Sequence, residues 1–284
     1  MYFGTAGAPD AFKKSGKART VDLPEWLAAR GLNWLEVSFG RGVSMGEETA
    51  RLLGENARKA GVRLSVHAPY YINLANPDPA KRERSREYIR ESVQAAVWME
   101  AERVIYHPGS AARQSRKKAL AYALEEVPRY MEETRRLAGD GIWICPETMG
   151  KVNQLGDLQE VLALCAADPG QLPCIDFGHL HSRGEGSLRT GEDFARILDA
   201  MEEALGFTRV RNFHIHFSKM EYSGGGEIRH LTFEDTVYGP EFEPLGEILA
   251  KRGYDPVFIS ESAGTQEEDA AYMRDRMKEF TGLY

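Results

Sequence analysis

Cysteines and long apolar runs are both scarce in this sequence of 284 residues. The three cysteines show no CxxC spacing and lie in apolar runs, so we expect reduced thiols, no disulfide framework and a cytoplasmic protein. No apolar run approaches the roughly 20 residues of a membrane span. The first residues lead straight into a strand-like run, so we also expect no secretion signal and no membrane partner.

An excess of positive charge is lacking too. The net charge is −7, which does not favour non-specific binding to nucleic acid, although a total charge does not exclude a local basic groove. Basic residues follow several predicted strands, among them Lys13, Arg116, Arg183 and Arg189. If those loops share one face of the fold, these side chains could contact a phosphate backbone.

The chain repeats one pattern eight times, in which a short β-rich run is followed by a loop and an amphipathic helix. No glycine-rich nucleotide-binding motif follows the first strand, because Gly4-Thr5-Ala6-Gly7 lacks the required spacing. Strict alternation predicts parallel strands joined by right-handed crossovers. We therefore predict an α/β fold, a single (β/α)8 TIM barrel over residues 1–284, with a doubly wound open sheet as the alternative.

Metal-ligand side chains stand at the ends of six consecutive predicted strands. Because the strands of such a barrel present their C-terminal ends on one rim, these side chains should meet there. They are His67, His107, Glu147, Asp176, His214 and Glu261. His179 and His230 lie on loops that could overhang the same rim.

Imidazoles and carboxylates without thiolates suit zinc, manganese or iron. Eight candidate ligands exceed the needs of one ion, since zinc is usually four-coordinate, and a carboxylate can bridge two ions. The set therefore predicts two or three ions, a bridged pair being about 3.5–4 Å apart. Such a pair can clamp a phosphodiester and supply hydroxide near neutral pH.

These residues and their flanks resemble the endonuclease IV family of apurinic/apyrimidinic endonucleases, within the xylose-isomerase-like TIM barrels. The likeness covers the whole chain and is strongest from the third strand onward. Its motifs are His67-Ala68-Pro69-Tyr70-Tyr71-Ile72-Asn73-Leu74, His107-Pro108-Gly109-Ser110, Glu147-Thr148, Asn153-Gln154-Leu155-Gly156, Cys174-Ile175-Asp176-Phe177-Gly178-His179, Leu188-Arg189-Thr190, His214, Ser218-Lys219, His230 and Glu261.

The resemblance implies three zinc ions. His67, His107 and Glu147 would bind the first, and Glu147 would bridge to the second. The second would also be bound by Asp176, His214 and Glu261, and the third by His179 and His230. Tyr70 matches a tyrosine of the family's DNA-contacting loop, and the implied partner is damaged double-stranded DNA.

Two departures from the family pattern concern the third ion and the second loop. Ile228 stands where the family has the aspartate of an Asp-x-His pair, so Glu227 is the candidate substitute and Asp235 another. The loop after the second strand is poor in aromatic and basic residues, and Arg41 is its one candidate DNA contact. His216 would orient a ligand or contact substrate, or simply be a hydrogen-bonded residue of the barrel interior.

The ligand set predicts a metal-dependent hydrolase, and the resemblance implies a zinc phosphodiesterase that cleaves DNA 5′ to abasic sites in base excision repair. Glu147 or Glu261 would orient the attacking water. We expect a monomer with no protein partner. The alternatives are a sugar isomerase or epimerase that uses one ion bound by Glu, Asp, His and Glu, and a nucleic-acid-binding homologue with impaired catalysis.

Overall fold

A computed structural model describes residues 1–16, 19–111 and 114–282 of the protein. Its strands, in chain order, are β1 (Tyr2–Ala6), β2 (Trp34–Ser38), β3 (Arg63–His67), β4 (Arg103–Tyr106), β5 (Gly109–Ser110), β6 (Trp143–Pro146), β7 (Gln154–Leu155), β8 (Cys174–Asp176), β9 (His214–Phe217), β10 (Met220–Ser223), β11 (Gly226–His230) and β12 (Val257–Ser260).

Eight of these strands form one parallel sheet in the order β6-β4-β3-β2-β1-β12-β9-β8. Bridges from Ile144 to Gln171 and from Glu147 to Cys174 join the two edges, β6 and β8. The sheet is therefore a nearly closed (β/α)8 barrel, which confirms the predicted fold. Two antiparallel pairs, β5 with β7 and β10 with β11, lie outside the barrel sheet.

The helices surround this barrel. They are α1 (Asp10–Lys14), α2 (Leu23–Ala28), α3 (Glu47–Ala60), α4 (Pro79–Met99), α5 (Arg116–Ala138), α6 (Leu158–Ala166), α7 (Phe177–Arg183), α8 (Gly191–Leu205), α9 (Phe207–Val210), α10 (Glu243–Arg252) and α11 (Gln266–Thr281), with a short 3-10 turn at Thr20–Asp22. Within the described ranges, no helix is both long and apolar enough to span a bilayer.

Three local predictions differ from the structure. The pattern predicts a seventh strand over 210–217, but residues Phe207–Val210 are helical and the strand begins at His214. His179, predicted on a loop, lies in α7, whose first turn is capped by the Asp176 carboxylate. Pro128, predicted to bend its helix or split it in two, does not split α5, which continues from Arg116 to Ala138 with the buried residues Val127 and Tyr130 around the proline.

Close contact between β1 and β2 depends on a glycine. A Cβ atom on Gly4 would lie 2.1 Å from the Trp34 carbonyl oxygen, well inside contact distance. Trp34 is fully buried and stands beneath the polar interior of the barrel, where its indole donates a hydrogen bond to Ser65. The core is thus apolar between barrel and helices, while inside the barrel a small apolar cluster of Trp34, Val257 and Ile259 adjoins the polar side chains.

Candidate metal centre

A cavity of about 400 Å³ opens at the C-terminal rim of the barrel. The ends of the strands and the loops that follow them supply its walls. Its lining includes Ser38, Gly40, His67, Tyr70, His107, Glu147, Met149, Lys151, Gln154, His179, Glu227, His230 and Glu261. The structure thus brings most of the predicted ligands to one place.

The first group of potential ligands is His67, His107 and Glu147, whose ligand atoms lie within 4.8 Å of one another. Glu147 Oε2 is 3.2 Å from His67 Nε2 and 3.0 Å from His107 Nε2. His67 Nδ1 lies 2.8 Å from the Ala68 carbonyl, which only accepts, so Nδ1 donates there. Although burial opposes its charge, the Glu147 carboxylate raises the pKa of His67 to about 9. When the ring is neutral, as metal binding requires, the bond to Ala68 leaves the Nε2 lone pair directed into the group.

The second group shares Glu147 and adds Asp176, His216 and Glu261, again within 4.8 Å. Asp176 and His216 are paired in the parallel register of β8 and β9, which puts them at the same height in the barrel. His216 Nδ1 lies 3.0 Å from Glu147 Oε1 and 3.5 Å from Glu261 Oε1. One carboxylate therefore adjoins both groups, as a bridging ligand must.

His216, and not the predicted His214, lies with the other potential ligands of this group. The reason is the position of β9: His214 is its first residue and lies deep in the barrel, whereas His216 is near the C-terminal rim. His214 Nε2 lies 3.0 Å from Glu36 Oε2, and its Nδ1 lies 3.4 Å from the Arg103 guanidinium. Both ring nitrogens of His214 are thus engaged. His216 is fully buried, so the structure offers it no direct contact with substrate.

Cys174, His214 and His216 also lie close enough to form a set of potential ligands. Burial raises the pKa of the Cys174 thiol well above its ordinary value, which disfavours the thiolate that a metal requires. Burial, together with the nearby His216 and Arg103, lowers the pKa of His214 to about 4 against the opposing effect of Glu36, so its ring is neutral. With both nitrogens of that ring engaged, this set is a structural network.

A third group contains His179, Glu227 and His230. The His179 Nδ1 atom lies 2.8 Å from the Thr148 carbonyl and donates to it, so Nε2 faces Glu227 Oε2 at 3.3 Å. The His179 and His230 rings are 5.6 Å apart, and His230 Nδ1 is 2.9 Å from the Ser218 hydroxyl. Glu227 is therefore placed to act where the family uses aspartate.

A β-bulge explains why Glu227 and not Ile228 faces this group. Across the hairpin, Glu221 pairs with Arg229 and Tyr222 pairs with Glu227, which leaves Ile228 as an extra residue. In a regular strand, residues three apart point to opposite faces. The extra residue brings Glu227 and His230 to the same face, and Ile228 is 53% exposed.

Asp235, the other candidate for the third group, accepts hydrogen bonds in a turn instead. Its Oδ1 accepts hydrogen bonds from the backbone N–H groups of Val237 and Tyr238, at 2.9 and 2.7 Å. Those two bonds lower the pKa of the Asp235 carboxyl and make it a turn residue.

Several buried oxygens lack hydrogen bonds within the described chain, which bears on whether cations fit here. Asp176 Oδ2 and Glu227 Oε2 are buried and accept none. Burial, together with the nearby Glu261 and Glu147, raises the pKa of Asp176 to about 7. Carboxylate oxygens that accept no hydrogen bond, grouped with imidazole nitrogens, form the donor set that zinc, manganese and iron prefer, so the residues fit divalent cations.

Tyr70 and Arg41, predicted to contact substrate, lie together at the mouth of the cavity. We call Arg41, Tyr70 and Tyr71 the rim cluster. The two tyrosine rings are 4.5 Å apart, their hydroxyls are 3.3 Å apart, and about half of each side chain is exposed. Tyr71 and Arg41 lower the pKa of the Tyr70 hydroxyl.

Two of the basic residues that could contact phosphate are instead structural. Arg183 donates to the carbonyls of Met149, Lys151, Val152 and Gln154. Arg116 donates to the Val152 and Gln154 carbonyls and pairs with Glu160. These two side chains fix the loop between β6 and β7, so positive charge on the rim is smaller than the sequence suggested.

Sequence reasoning missed Glu36, a fully buried carboxylate in the middle of β2. It contacts Ser65, His214 and His216 directly beneath the second group. A signal was present, because a carboxylate inside the apolar run Trp34-Leu35-Glu36-Val37 must have buried partners.

Comparison with known proteins adds family membership to this geometry. The family model described as a xylose isomerase-like TIM barrel matches residues 24–280. The chain belongs to this family. A relative from Methanocaldococcus jannaschii, the uncharacterized protein MJ0133, is 34% identical over 272 residues, which cover 91% of this chain and 95% of that protein.

Relatives named probable endonuclease 4 confirm the resemblance inferred from the motifs. The protein of Mycoplasma pneumoniae is 28% identical over 201 residues, and that of Acholeplasma laidlawii is 30% identical over 198. The matches cover 69% and 65% of this chain and 65% of each relative, just under two thirds of their length.

Solved structures share the fold of this xylose isomerase-like barrel. Endonuclease IV from Thermus thermophilus superposes with a TM-score of 0.67 at 21% identity, covering 99% of this chain and 100% of that one. A D-tagatose 3-epimerase-like protein has a TM-score of 0.69 at 20% identity, covering 89% of each chain. The family and its relatives indicate an enzyme.

Proposed function

We propose that this protein is a zinc-dependent phosphodiesterase of the endonuclease IV type that hydrolyses DNA 5′ to abasic sites in base excision repair. The observation that carries the proposal is the shared Glu147. It joins the group of His67 and His107 to the group of Asp176, His216 and Glu261. A one-ion site needs only the second group, whereas two adjacent groups linked by a carboxylate suit a bridged pair of ions.

The ligand assignment follows the geometry. His67, His107 and Glu147 would hold one ion, and Glu147, Asp176, His216 and Glu261 a second. His179, Glu227 and His230 would hold a third, with Glu227 in place of the family's aspartate. Imidazole-rich sites without thiolate favour zinc, while manganese and iron suit the same donors.

When bound, such ions lower the pKa of water and stabilise negative charge on a phosphoryl group. In the proposed reaction, the oxygen of water forms a bond to phosphorus, and the bond between phosphorus and the 3′-oxygen breaks. Glu261 lines the cavity, 17% of its side chain is exposed, and it would take the proton of the attacking water. Glu147 is 1% exposed and would orient that water from below.

The rim cluster supports a nucleic-acid substrate. Tyr70 and Tyr71 offer exposed rings beside Arg41 at the mouth of the cavity, and aromatic rings there can stack on a base or sugar. Damaged double-stranded DNA is the proposed partner, since an abasic nucleotide leaves the space that its base would fill.

A sugar isomerase or epimerase is the second candidate. Glu147, Asp176, His216 and Glu261 alone would hold one divalent ion and leave carboxylates to move protons on a sugar. The likeness in fold to a D-tagatose 3-epimerase-like protein keeps this candidate open. The His67–His107 pair is the feature that it leaves without a role.

The test begins with protein purified without chelator, whose metal content is measured by inductively coupled plasma mass spectrometry. The same sample is assayed on a duplex with one synthetic abasic site, on the matching intact duplex and on a panel of ketoses. Two or three zinc ions per chain with incision only at the abasic site is the expected result. Glu261→Gln should abolish incision, and Glu203→Gln, an exposed residue in the last turn of α8 and therefore at the opposite end of the barrel, serves as the matched control.

One exchangeable ion with epimerised ketose and no incision would replace this proposal by the second candidate. Two or three ions with binding of the abasic duplex and no incision would indicate a nucleic-acid-binding homologue with impaired catalysis.

A further inference from the structure

We propose that Glu36 is a positioning residue of the metal centre, which holds the His216 ring so that its Nδ1 atom faces the carboxylate ligands. This inference rests on the proposed metal centre. It concerns a carboxylate on β2, a strand that contributes no ligand to any of the three groups.

Glu36 is enclosed by three polar side chains and is fully buried. Its Oε2 atom accepts from the Ser65 hydroxyl at 2.8 Å and lies 3.0 Å from His214 Nε2. Its Oε1 atom lies 2.9 Å from His216 Nε2, an ion-pair contact whose alignment falls outside that of a hydrogen bond. Each oxygen therefore faces a potential donor, and a buried carboxylate needs such partners.

The direction of two of these contacts is determined by the neighbours. The Trp34 indole donates to Ser65 Oγ at 2.9 Å, so the single hydroxyl proton of Ser65 goes to Glu36. The Arg103 guanidinium faces His214 Nδ1, so that nitrogen accepts and His214 Nε2–H donates to Glu36. This arrangement requires a side chain with two acceptor atoms. A carboxylate provides two, whereas an amide provides only one.

The consequence for His216 is a choice between its two nitrogens. With Nε2 turned to Glu36, the Nδ1 atom is left facing Glu147 Oε1 and Glu261 Oε1. A carboxylate behind a metal-binding imidazole fixes the tautomer and the ring orientation and increases ligand basicity. Losing such a partner commonly weakens metal affinity by about 10–100-fold.

The test compares wild type with Glu36→Gln, a variant of the same shape. In either amide orientation, the NH2 group of the glutamine would face a side chain that presents a donor to Glu36. Each protein is stripped with chelator and titrated with Co²⁺, and both affinity and visible absorption spectrum are recorded. In Glu36→Gln, we expect the affinity of one class of Co²⁺ sites to fall by about 10–100-fold and its visible absorption spectrum to change.

Two further variants separate positioning from folding. Glu126→Gln alters a buried carboxylate far from the barrel axis, in an ion pair between α4 and α5, and should leave Co²⁺ affinity and spectrum unchanged. Ser65→Ala removes one donor to Glu36 but keeps its charge, so a several-fold loss of affinity is expected. If Glu36→Gln does not fold, Ser65→Ala replaces it as the test variant.

Wild-type affinity and spectrum in Glu36→Gln, or in Ser65→Ala where that variant must be used, would overturn the role of Glu36 and leave the metal centre intact. Wild-type protein that takes up no Co²⁺ or Zn²⁺ would instead overturn the proposed function itself. The two failures are therefore distinguishable.

Discussion

His214 and His216 lie two residues apart on β9, with ring centroids 5.2 Å apart, yet they belong to different sites. His216 faces the carboxylates of the cavity, and His214 lies between Glu36 and Arg103 one layer deeper. Residues i and i+2 of a strand share a face, so barrel depth alone separates a potential ligand from a structural histidine.

This pair yields the first prediction. His216→Ala should lose one metal ion per chain and reduce incision on the order of 100-fold or more, because stabilisation of developing charge is usually the largest catalytic contribution. His214→Ala should retain ion stoichiometry but lower the free energy of unfolding by about 2–3 kcal/mol, since it removes one partner from each of the buried Glu36 and Arg103 side chains. Metal analysis and urea unfolding check both. Equal metal loss in the two variants would contradict the assignment.

The bulge in the hairpin of β10 and β11 yields the second prediction. Glu227→Ala should reduce the number of bound zinc ions by one, because it removes the carboxylate that faces His179 Nε2. Ile228→Ala is the matched control, since its side chain lies in solvent beside the same bulge. Metal content after dialysis against a weak chelator measures the effect. If Ile228→Ala loses the ion and Glu227→Ala keeps it, the bulge does not select the ligand.

The rim cluster yields the third prediction. Tyr70→Ala should weaken binding of an abasic duplex by about tenfold, since stacking of an aromatic side chain on a base contributes roughly 1–3 kcal/mol. Tyr70→Phe keeps the ring and should bind nearly as wild type. Fluorescence anisotropy of a labelled duplex provides the dissociation constants. Tyr272→Ala, an exposed tyrosine on α11, is the control, and an equal loss there would remove the rim cluster from the proposed interface.

Stability at acid pH provides the fourth prediction. Glu126 is buried in ion pairs with Arg82 and Arg86, and although burial opposes its charge, these arginines lower its pKa. Because the pKa is lower in the folded chain, its contribution is present above the ordinary carboxyl pKa and is lost as pH falls through the lowered one. Glu126→Gln should therefore cost about 3 kcal/mol at pH 7.

The loss in free energy of unfolding caused by Glu126→Gln should be smaller at about pH 3.5, which is below the ordinary glutamate pKa of about 4.3. Urea unfolding at the two pH values measures it. Glu132→Gln is the control, because its exposed pair with Arg136 contributes little. A difference that stays constant between the two pH values would show that Glu126 acts by packing and not by charge.

Local patterns in the sequence suffice to predict the barrel and its rim. Alternating apolar runs and amphipathic helices are compatible with few topologies. Parallel strands of a barrel place their C-terminal ends on one face, which predicts that the ligands at those ends are neighbours. The structure does bring them together: His67, His107, Glu147, Asp176 and Glu261. Family membership is likewise readable from contiguous motifs, since these need only local order along the chain.

Strand pairing selects which members of closely spaced pairs face the cavity, and no local pattern carries that information. The depth at which β9 joins its neighbours separates His216 from His214, and a bulge in a hairpin separates Glu227 from Ile228. The contacts of Arg183 with the loop of residues 149–154, and of Glu36 with β9, also join residues far apart in sequence. A shift of one position would exchange the faces of Glu227 and Ile228, and a shift of two positions would exchange the depths of His214 and His216. Only pairing with other strands determines these positions.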